Sequence, residues 1–190
     1  GNGRDAEFFG SPTWVTGKVG SNALEFNGTN DYCEVSGFAT PTSAITVALW
    51  AKSDNTAFRA GDSRTWASKE PSFWLAPAGS QRIAWVYSGS SVFLEIADLT
   101  AISGWSGVDK WHHYAATWDE AAQTAKLYVD GVEQDSATHG GGVSMPSDTG
   151  RFVFGRNDNL PRFWDGALDD ERIYSRALSA SEINDLFLLG

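Results

Sequence analysis

The chain has 190 residues, of which 42% are hydrophobic and 20% are charged. This composition is that of a globular domain with a substantial core, and it excludes a disordered chain. The formal net charge of −10 argues against nucleic acid or an anionic membrane surface as a partner. No apolar run approaches the roughly 18 residues of a membrane helix, so we expect no membrane insertion. An acidic surface also suits a secreted protein.

Strand patterns dominate the chain. NALEFNG and DYCEVSG flank a turn at NGTN, and the long strand AITVALWAKS follows. The other predicted strands are, in order, a hairpin within SFWLAPAGSQRIAWVYSG that is closed by APAGS, then SVFLEIADL, WHHYAATWD, AKLYVDG, GRFVFGRND and GALDDERIY. Turns recur about every 8 to 12 residues, which is typical of an all-β sandwich.

Two local signals are sharper than the rest. Asp130-Gly131 is a dipeptide typical of a tight β-hairpin turn. The final stretch SASEINDLF is the only convincing helix, with Ser179 and Glu182 at the spacing of a capping box. We find no repeat and no linker, so residues 1–190 are predicted to form a single domain. The irregular stretches 54–69 and 136–149 are where binding residues are expected, because long loops on a rigid scaffold often carry them.

Cys33 is the only cysteine, which excludes an internal disulfide. It lies in the stretch DYCEV, where strand alternation places Cys33 and Val35 on one face. We expect a buried, inert thiol, with intermolecular pairing or a reactive thiol as the alternatives.

Six stretches, taken together and in order, resemble the laminin G-like jelly rolls of the concanavalin A-like lectin/glucanase superfamily. They are GNGRDAEFFGSPTWVTGKVGSNALEFNGTNDYCEV, ITVALWAK, WHHYAATWD, KLYVDGVE, FVFGRND and GALDDERIYSRALSASEI, and they cover nearly the whole chain. The resemblance implies a two-sheet antiparallel jelly-roll sandwich with a short C-terminal helix. It does not imply one function, because the superfamily includes lectins, glycan-binding modules, adhesion domains and glycosidases.

The sequence departs from the family pattern in two main places. Family members usually have a strand and an acidic turn before the GNG element at which this sequence starts. Either the sequence starts after that strand, or the strand comes from elsewhere; in the second case an open sheet edge could accept a strand from another protein chain or domain. The second departure is Glu171, where the family usually has an apolar residue.

The resemblance also implies a structural calcium (Ca²⁺) site where an early loop meets the last strand. Calcium takes about six to eight oxygen ligands from carboxylates, carbonyls and water. The predicted ligands are Asn27, Gly28 and Asp31 of the loop FNGTND, with Asp169 and, through its carbonyl, Asp170 of the last strand. Asp5 is a further candidate. The alternative interpretation is an acidic, hydrated edge strand without an ion.

Catalysis has weaker support. Glycosidases of the superfamily typically carry a Glu-x-Asp-x-x-Glu array, which places two carboxylates for acid and nucleophile roles. Neither DDERIY nor LEIAD has that spacing. We therefore predict that the domain is not an enzyme, with a glycoside hydrolase or lyase as a minor alternative. His112 and His113 are adjacent in a strand and are expected to be structural.

The nine tryptophans suggest a glycan site, because sugar rings stack on exposed aromatic rings while planar polar groups bind their hydroxyls. Trp14, Trp50, Trp111 and Trp118 match positions where the family commonly has an aromatic residue, so they are expected in the core. The remaining aromatic candidates for ligand contact, with core packing as the alternative for each, are Trp66, Trp74, Trp85, Tyr87, Trp105 and Trp164. The candidate polar partners are Arg82, Asp158 and Arg162.

These features favour a non-catalytic carbohydrate-binding or adhesion module of a larger extracellular protein, stabilised by calcium and acting on a glycan or polysaccharide. The alternative is a structural protein-interaction module, such as a surface adhesin or virion decoration domain, completed by a donated strand.

Overall fold

The computed structural model describes residues 5–54, 64–77, 82–87, 92–96 and 99–190. Most of the predicted long loop 54–69 and the predicted turn at residues 78–81 lie outside these ranges. The described strands are β1 (Glu7–Phe9), β2 (Thr13–Thr16), β3 (Asn22–Asn27), β4 (Tyr32–Val35), β5 (Ala44–Ser53), β6 (Ala67–Lys69), β7 (Phe73–Pro77), β8 (Ile83–Tyr87), β9 (Val92–Ile96), β10 (Trp111–Asp119), β11 (Thr124–Val129), β12 (Val132–Thr138), β13 (Phe152–Phe154) and β14 (Asp165–Tyr174). A 3₁₀ turn covers Leu99–Ala101, and the helix α1 covers Ala180–Phe187.

The strands form two antiparallel sheets. Sheet I has the order β1-β4-β13-β6-β7-β8-β9, and sheet II has the order β12-β11-β10-β5-β14-β3-β2. The long strands β5 and β10 pair at the centre of sheet II, with Tyr114 opposite Leu49. The predicted fold class, a two-sheet antiparallel jelly-roll sandwich with a short C-terminal helix, is confirmed.

Apolar side chains from both sheets fill the space between them. The largest fully buried rings include Trp66, Trp85, Trp118 and Trp164, each at most 1% exposed. Trp118 and Trp50, at 2% exposed, are buried as predicted. Burying one large apolar side chain stabilises the fold by about 1.5–3 kcal/mol, so this aromatic interior is a major source of stability.

The predicted Asp130-Gly131 turn joins β11 to β12. Both residues have positive φ, at 49° and 77°, as a type I′ hairpin turn requires. The Asp130 carboxylate accepts hydrogen bonds from His112 Nδ1 at 2.8 Å and from the His113 amide at 2.9 Å. Both histidines are buried in β10, and burial lowers the pKa of His113 to about 4. Their predicted structural role agrees with these contacts.

The predicted capping box of α1 is present. The Ser179 side chain accepts a hydrogen bond from the Glu182 amide, and the Glu182 carboxylate accepts one from the Ser179 amide at 2.9 Å. Arg176 holds the same carboxylate. The helix covers the outer face of sheet II, where Phe187 stacks on Trp50 with ring centroids 5.6 Å apart. No helix of the described residues has the length and apolar character needed to cross a membrane.

Glu171 is an acidic residue in an unfavourable, buried environment. It lies on β14 beside the interior, and its Oε1 is buried without a hydrogen-bond partner. Burial, and secondarily the charges of Asp169 and Asp170, raise the pKa of Glu171 to about 8. Nearby Cys33 is 3% exposed, as predicted for an inert thiol, and its pKa is raised by burial and by the charge of Glu171.

The capping box gives a first prediction. Replacing the cap, Ser179→Ala, leaves a helix amide without its partner and is expected to lower the free energy of unfolding by about 1 kcal/mol. Urea unfolding followed by circular dichroism measures this. The control is Ser175→Ala in the exposed connection before α1. Equal losses in the two variants would contradict a capping role.

Glu171 gives a second prediction, a dependence on pH. Between its ordinary pKa of 4.5 and its folded value of about 8, the folded chain holds a proton that the unfolded chain releases. Stability therefore falls as pH rises through this window. Glu171→Leu removes the effect and the unpartnered oxygen, so we expect it to stabilise the fold by about 1–3 kcal/mol at high pH and by less near pH 4.

Urea unfolding at the two pH values checks this. The control, Glu7→Leu, changes an exposed glutamate on β1 and should show no gain that grows with pH. A gain for Glu171→Leu that is the same at both pH values would count against the raised pKa.

Candidate functional site

Four of the predicted ligand-binding aromatics belong to the interior. Trp66, Trp85 and Tyr87 have no exposed surface, and Trp164 is 1% exposed. No sugar ring can stack on them, so the prediction was wrong for these four. The sequence places them in or beside strands of sheet I and before β14, and the structure turns their side chains inward.

Their contacts show what they do instead. Trp66 stacks on Tyr114 across the sandwich, with ring centroids 4.3 Å apart, and meets the edge of Trp164 at 5.7 Å. Tyr87 stacks on Trp118 at 4.8 Å, and its hydroxyl bonds to His139 at 2.6 Å. Burial raises the pKa of Tyr87 to about 12. These rings join the two sheets.

The other predicted ligand residues are spread over different parts of the surface. Trp74 is half-buried on β7, Arg82 is half-buried just before β8, and Arg162 is exposed. Trp105 is half-buried and donates its indole N–H to the Tyr114 hydroxyl at 2.9 Å. The structure does not bring these four residues into one site.

Asp158 is the exception, since it lies close to the strands β6 and β7, the second of which carries Trp74. Its amide donates to Ser68 Oγ at 3.1 Å, and Ser68 is the strand neighbour of Trp74 in sheet I. The carboxylate of Asp158 is 8% exposed as a side chain and forms an ion pair with Arg151. Asp158 therefore orders this face of sheet I rather than offering a free carboxylate.

Trp14, predicted to be in the core, is instead the most exposed large ring among the described aromatic residues. It is 65% exposed, and its neighbour Phe8 is 53% exposed. The two rings meet edge to face with centroids 6.1 Å apart. The prediction was wrong because Trp14 lies on β2, which pairs only with β3, and an edge strand has no neighbour on its outer side to cover a ring.

Further rings continue this surface around the β1 edge. Phe9 stacks on Tyr32 with centroids 4.5 Å apart and an interplanar angle of 3°. Tyr32 is 6.3 Å from Phe163, and the Arg156 guanidinium lies over Tyr32 at 4.2 Å. We call Phe8, Phe9, Trp14, Tyr32 and Phe163 the aromatic band. All but Phe8 and Trp14 are half-buried.

The sequence contains a signal for this band. Phe8 and Phe9 are adjacent in the strand EFF, and adjacent side chains in a strand point to opposite faces of the sheet. One of the two rings must therefore lie outside the core. The strand TWVT likewise places Trp14 next to Val15, without a clear alternation of apolar and polar residues.

Charged side chains border the band on sheet I. Arg151 is 42% exposed and pairs with Asp158 and, at 3.6 Å, with Glu34. Arg156 donates to the Asp158 carbonyl at 3.2 Å, and its Nε is buried without a partner. Planar polar groups of this kind can bind sugar hydroxyls, and they lie beside the rings of Tyr32 and Phe163.

A cavity of about 260 Å³ lies beside β2 and β3 of sheet II. Thr13, the residue before Trp14, lines it. Its other lining residues are Ser11, Glu25, Phe26, Asn27, Asp31, Asp54 and Asp165. Burial raises the pKa of Glu25, and a hydrogen bond and the charge of Asp54 add to this effect. Two carboxyls in hydrogen-bond contact leave no room for the sugar that a glycosidase pair must flank.

The structure does not bring all five predicted calcium ligands together: Asn27, Gly28 and Asp31 share one loop, whereas Asp169 lies apart from it. The strand register places Asp165, not Asp169, opposite Asn27. Asp169 lies four residues further along β14 and accepts the amides of Lys18 and Val19 at 2.7 and 2.8 Å. Asp169 therefore fixes the turn between β2 and β3 and does not meet Asn27.

The remaining predicted ligands are also engaged. Asp170 pairs with Arg172, and Asp31 accepts the amides of Ser11 and Asn27. Gly28 has a φ of 69°, and its amide donates a hydrogen bond to the carbonyl of Trp164, the residue before β14. Among the described residues, no three His, Cys, Asp or Glu side chains are grouped as a metal ion requires. The five predicted residues therefore do not fit a common ion.

Solved structures share this fold. The receptor binding domain of the botulinum neurotoxin C/D mosaic serotype has a TM-score of 0.76 and 17% identity, covering 97% of this chain and 46% of that chain. The binding domain of Paraclostridial Mosquitocidal Protein 1 has a TM-score of 0.75 and 20% identity, covering 98% of this chain and 48% of that chain. The botulinum neurotoxin serotype D ligand binding domain in complex with N-acetylneuraminic acid has a TM-score of 0.74 and 17% identity, covering 97% of this chain and 46% of that chain.

Identities this low show a shared fold alone, and the chain spans slightly less than half the length of these structures. A search of curated proteins gave no significant match. A protein-family model for the laminin G type of the concanavalin A-like lectin/glucanase superfamily matches residues 27–184, which is most of the chain. The chain therefore belongs to the laminin G-like family of the concanavalin A-like lectin/glucanase superfamily.

Proposed function

We propose that this domain is a non-catalytic carbohydrate-binding module and that the aromatic band is its glycan-binding surface. The observation that carries the proposal is the exposure of Trp14, at 65%, beside Phe8, at 53%. Large exposed rings are unfavourable in water, so adjacent ones mark a surface that binds something. Tryptophan is also the residue most often found to dominate a binding interface.

The chemistry of the band suits a sugar. The apolar C–H face of a sugar ring can stack on Trp14, while hydroxyl groups accept from or donate to planar polar groups nearby. The band has such groups on both sides, with Arg151, Glu34 and Arg156 on sheet I. On sheet II, Thr13 and Glu25 line the neighbouring cavity. A glycan that lies across the β1 edge meets rings first and polar groups at both ends.

The comparisons support a binding role in general terms. The structural neighbours are named as the receptor binding domain or ligand binding domain of a neurotoxin, or as the binding domain of a mosquitocidal protein. One of them is in complex with N-acetylneuraminic acid. Because the chain spans under half of those structures, we further propose that it acts within a larger extracellular protein and directs that protein to a glycan surface. The direct contact between the carboxyls of Glu25 and Asp54, which is too close for an acid pair that flanks a sugar, supports a role without catalysis.

A glycan-array screen followed by calorimetry tests this proposal. We expect the wild type to bind one class of glycan and Trp14→Ala to bind it at least about tenfold more weakly, because the stacking surface is lost. Trp14 makes few core contacts, so the thermal midpoint of unfolding should change little. Trp74→Ala is the matched control, since it removes a half-buried tryptophan that lies outside the band.

Loss of binding in Trp74→Ala with none in Trp14→Ala would move the site to the face of sheet I that carries β7. A folded wild type that binds no glycan on a broad array would overturn the proposed function.

The family resemblance predicts a structural calcium ion, whereas the positions of the five predicted ligands argue against one ion that all of them share. A test of this is independent of the glycan. Since the five predicted ligands do not converge, we expect neither the thermal midpoint nor glycan affinity to change between calcium buffer and chelator. A midpoint that rises with calcium, and that Asp31→Asn lowers only when calcium is present, would show that the early loop holds an ion after all.

A further inference from the structure

Two arginine side chains meet on sheet I, beside the rings of Tyr32 and Phe163. Arg151 and Arg156 each donate through Nη2 to the same carbonyl oxygen, that of Asp158, at 3.1 and 3.2 Å. The two guanidinium groups are therefore close neighbours, although their like charges repel each other.

The surrounding segment is locally positive. Residues 151–163 contain three arginines, Arg151, Arg156 and Arg162, against one acid, Asp158, in a chain whose net charge is −10. At physiological ionic strength, exposed charges more than about 8 Å apart are largely screened from each other. A ligand group that binds here is therefore affected mainly by the charges of this segment and not by those of the whole chain.

The nearby acids pair with Arg151 and leave Arg156 without an ion pair. The Asp158 carboxylate pairs with Arg151, and Glu34 lies 3.6 Å from Arg151 Nη1. Among the described residues, no carboxylate lies within ion-pair distance of Arg156. Arg156 Nη1 has no hydrogen-bond partner and, unlike Nε of the same side chain, is not buried. Arg156 thus has an N–H group available for an acceptor on a ligand.

The fold already holds Arg156 in place. Its guanidinium lies over the Tyr32 ring, 4.2 Å from the centroid, and 6.0 Å from the Phe163 centroid. A backbone bridge pairs Arg156 with Phe163. Because the planar group is fixed before a ligand arrives, binding costs little side-chain entropy.

We propose that the aromatic band selects an acidic glycan and that a carboxylate or sulfate group of this glycan pairs with Arg156. The inference rests on the proposed function, since it names the class of glycan that the same surface binds. Hydrogen bonds from a guanidinium to an anionic oxygen are about twice as strong as those between neutral groups. Arg156 therefore determines specificity, whereas the exposed ring of Trp14 supplies affinity for acidic and neutral sugars alike.

The ligand is an oligosaccharide and not a single sugar. Phe8, which contacts Trp14, and Phe9, which stacks on Tyr32, point to opposite faces of β1. One sugar ring cannot contact both Trp14 and Arg156. The acidic group and the stacked ring therefore belong to different units of the glycan.

A glycan array of matched pairs is the first test. Each pair has an acidic oligosaccharide and its neutral counterpart, made by reducing uronic acid carboxyls to alcohols or by removing sulfate. We expect the wild type to bind the acidic member at least about tenfold more tightly, because the neutral member cannot form the charged hydrogen bond. The two kinds of pair distinguish a carboxylate from a sulfate.

Calorimetry with the best pair then tests Arg156 itself. Arg156→Gln should bind the acidic member about tenfold or more weakly and the neutral member like the wild type, which also shows that the rings are intact. Arg156→Lys keeps the charge without the planar N–H groups and should restore part of the preference. The matched control, Arg162→Gln, removes an exposed arginine of the same segment and should change the preference by less than about twofold. Trp14→Ala should weaken both members by the same factor.

The failure of this inference is distinguishable from the failure of the proposed function. Equal binding of acidic and neutral members by the wild type would overturn the inference and leave the proposed function standing. An acidic preference that survives Arg156→Gln, or that Arg162→Gln abolishes to the same extent, would also overturn it. So would an equal loss of both members in Arg156→Gln, since Arg156 would then only support the rings. A folded wild type that binds no glycan would overturn the proposed function and this inference together.

Discussion

Two ring stacks across the interior are the contacts on which the rest of the molecule depends. Trp66, just before β6, stacks on Tyr114 of β10, and Tyr87 of β8 stacks on Trp118 of β10. Each stack joins sheet I to sheet II, and aromatic pairs add about 0.5–1.5 kcal/mol beyond the area they bury. These stacks also determine which aromatic residues remain available to bind a ligand. Rings that hold the sheets together cannot meet a ligand, so binding falls to the rings that the interior excludes.

The two most exposed of those rings, Phe8 and Trp14, lie on edge strands. An edge strand is covered on one side only, so a large side chain there is either exposed or packs against the neighbouring edge. Phe8 of β1 and Trp14 of β2 do both, since they contact each other while more than half of each remains exposed. The candidate glycan-binding surface therefore lies beside the edge strands β1 and β2.

The acidic residues of this fold serve mainly as staples for the backbone. Asp31 holds the β1–β2 connection through Ser11, Asp169 holds the turn before β3, and Asp130 holds two histidines of β10. Carboxylates that accept backbone amides stabilise loops without any ion. Glu171 differs, since among the described acids it alone has a buried carboxyl oxygen without a hydrogen bond.

The sequence by itself determined the all-β class, the Asp130-Gly131 hairpin and the capping box of α1, because alternation, turn chemistry and caps act between residues close in the chain. The laminin G-like family came from the resemblance of ordered stretches along the whole chain. The sequence also marked Glu171 as unusual. Only the tertiary structure decided which rings are exposed, because Trp14 and Trp66 differ in the strands that cover them and not in their local pattern. The same holds for the acids, since Asp165 rather than Asp169 meets Asn27 through a register that long-range pairing sets.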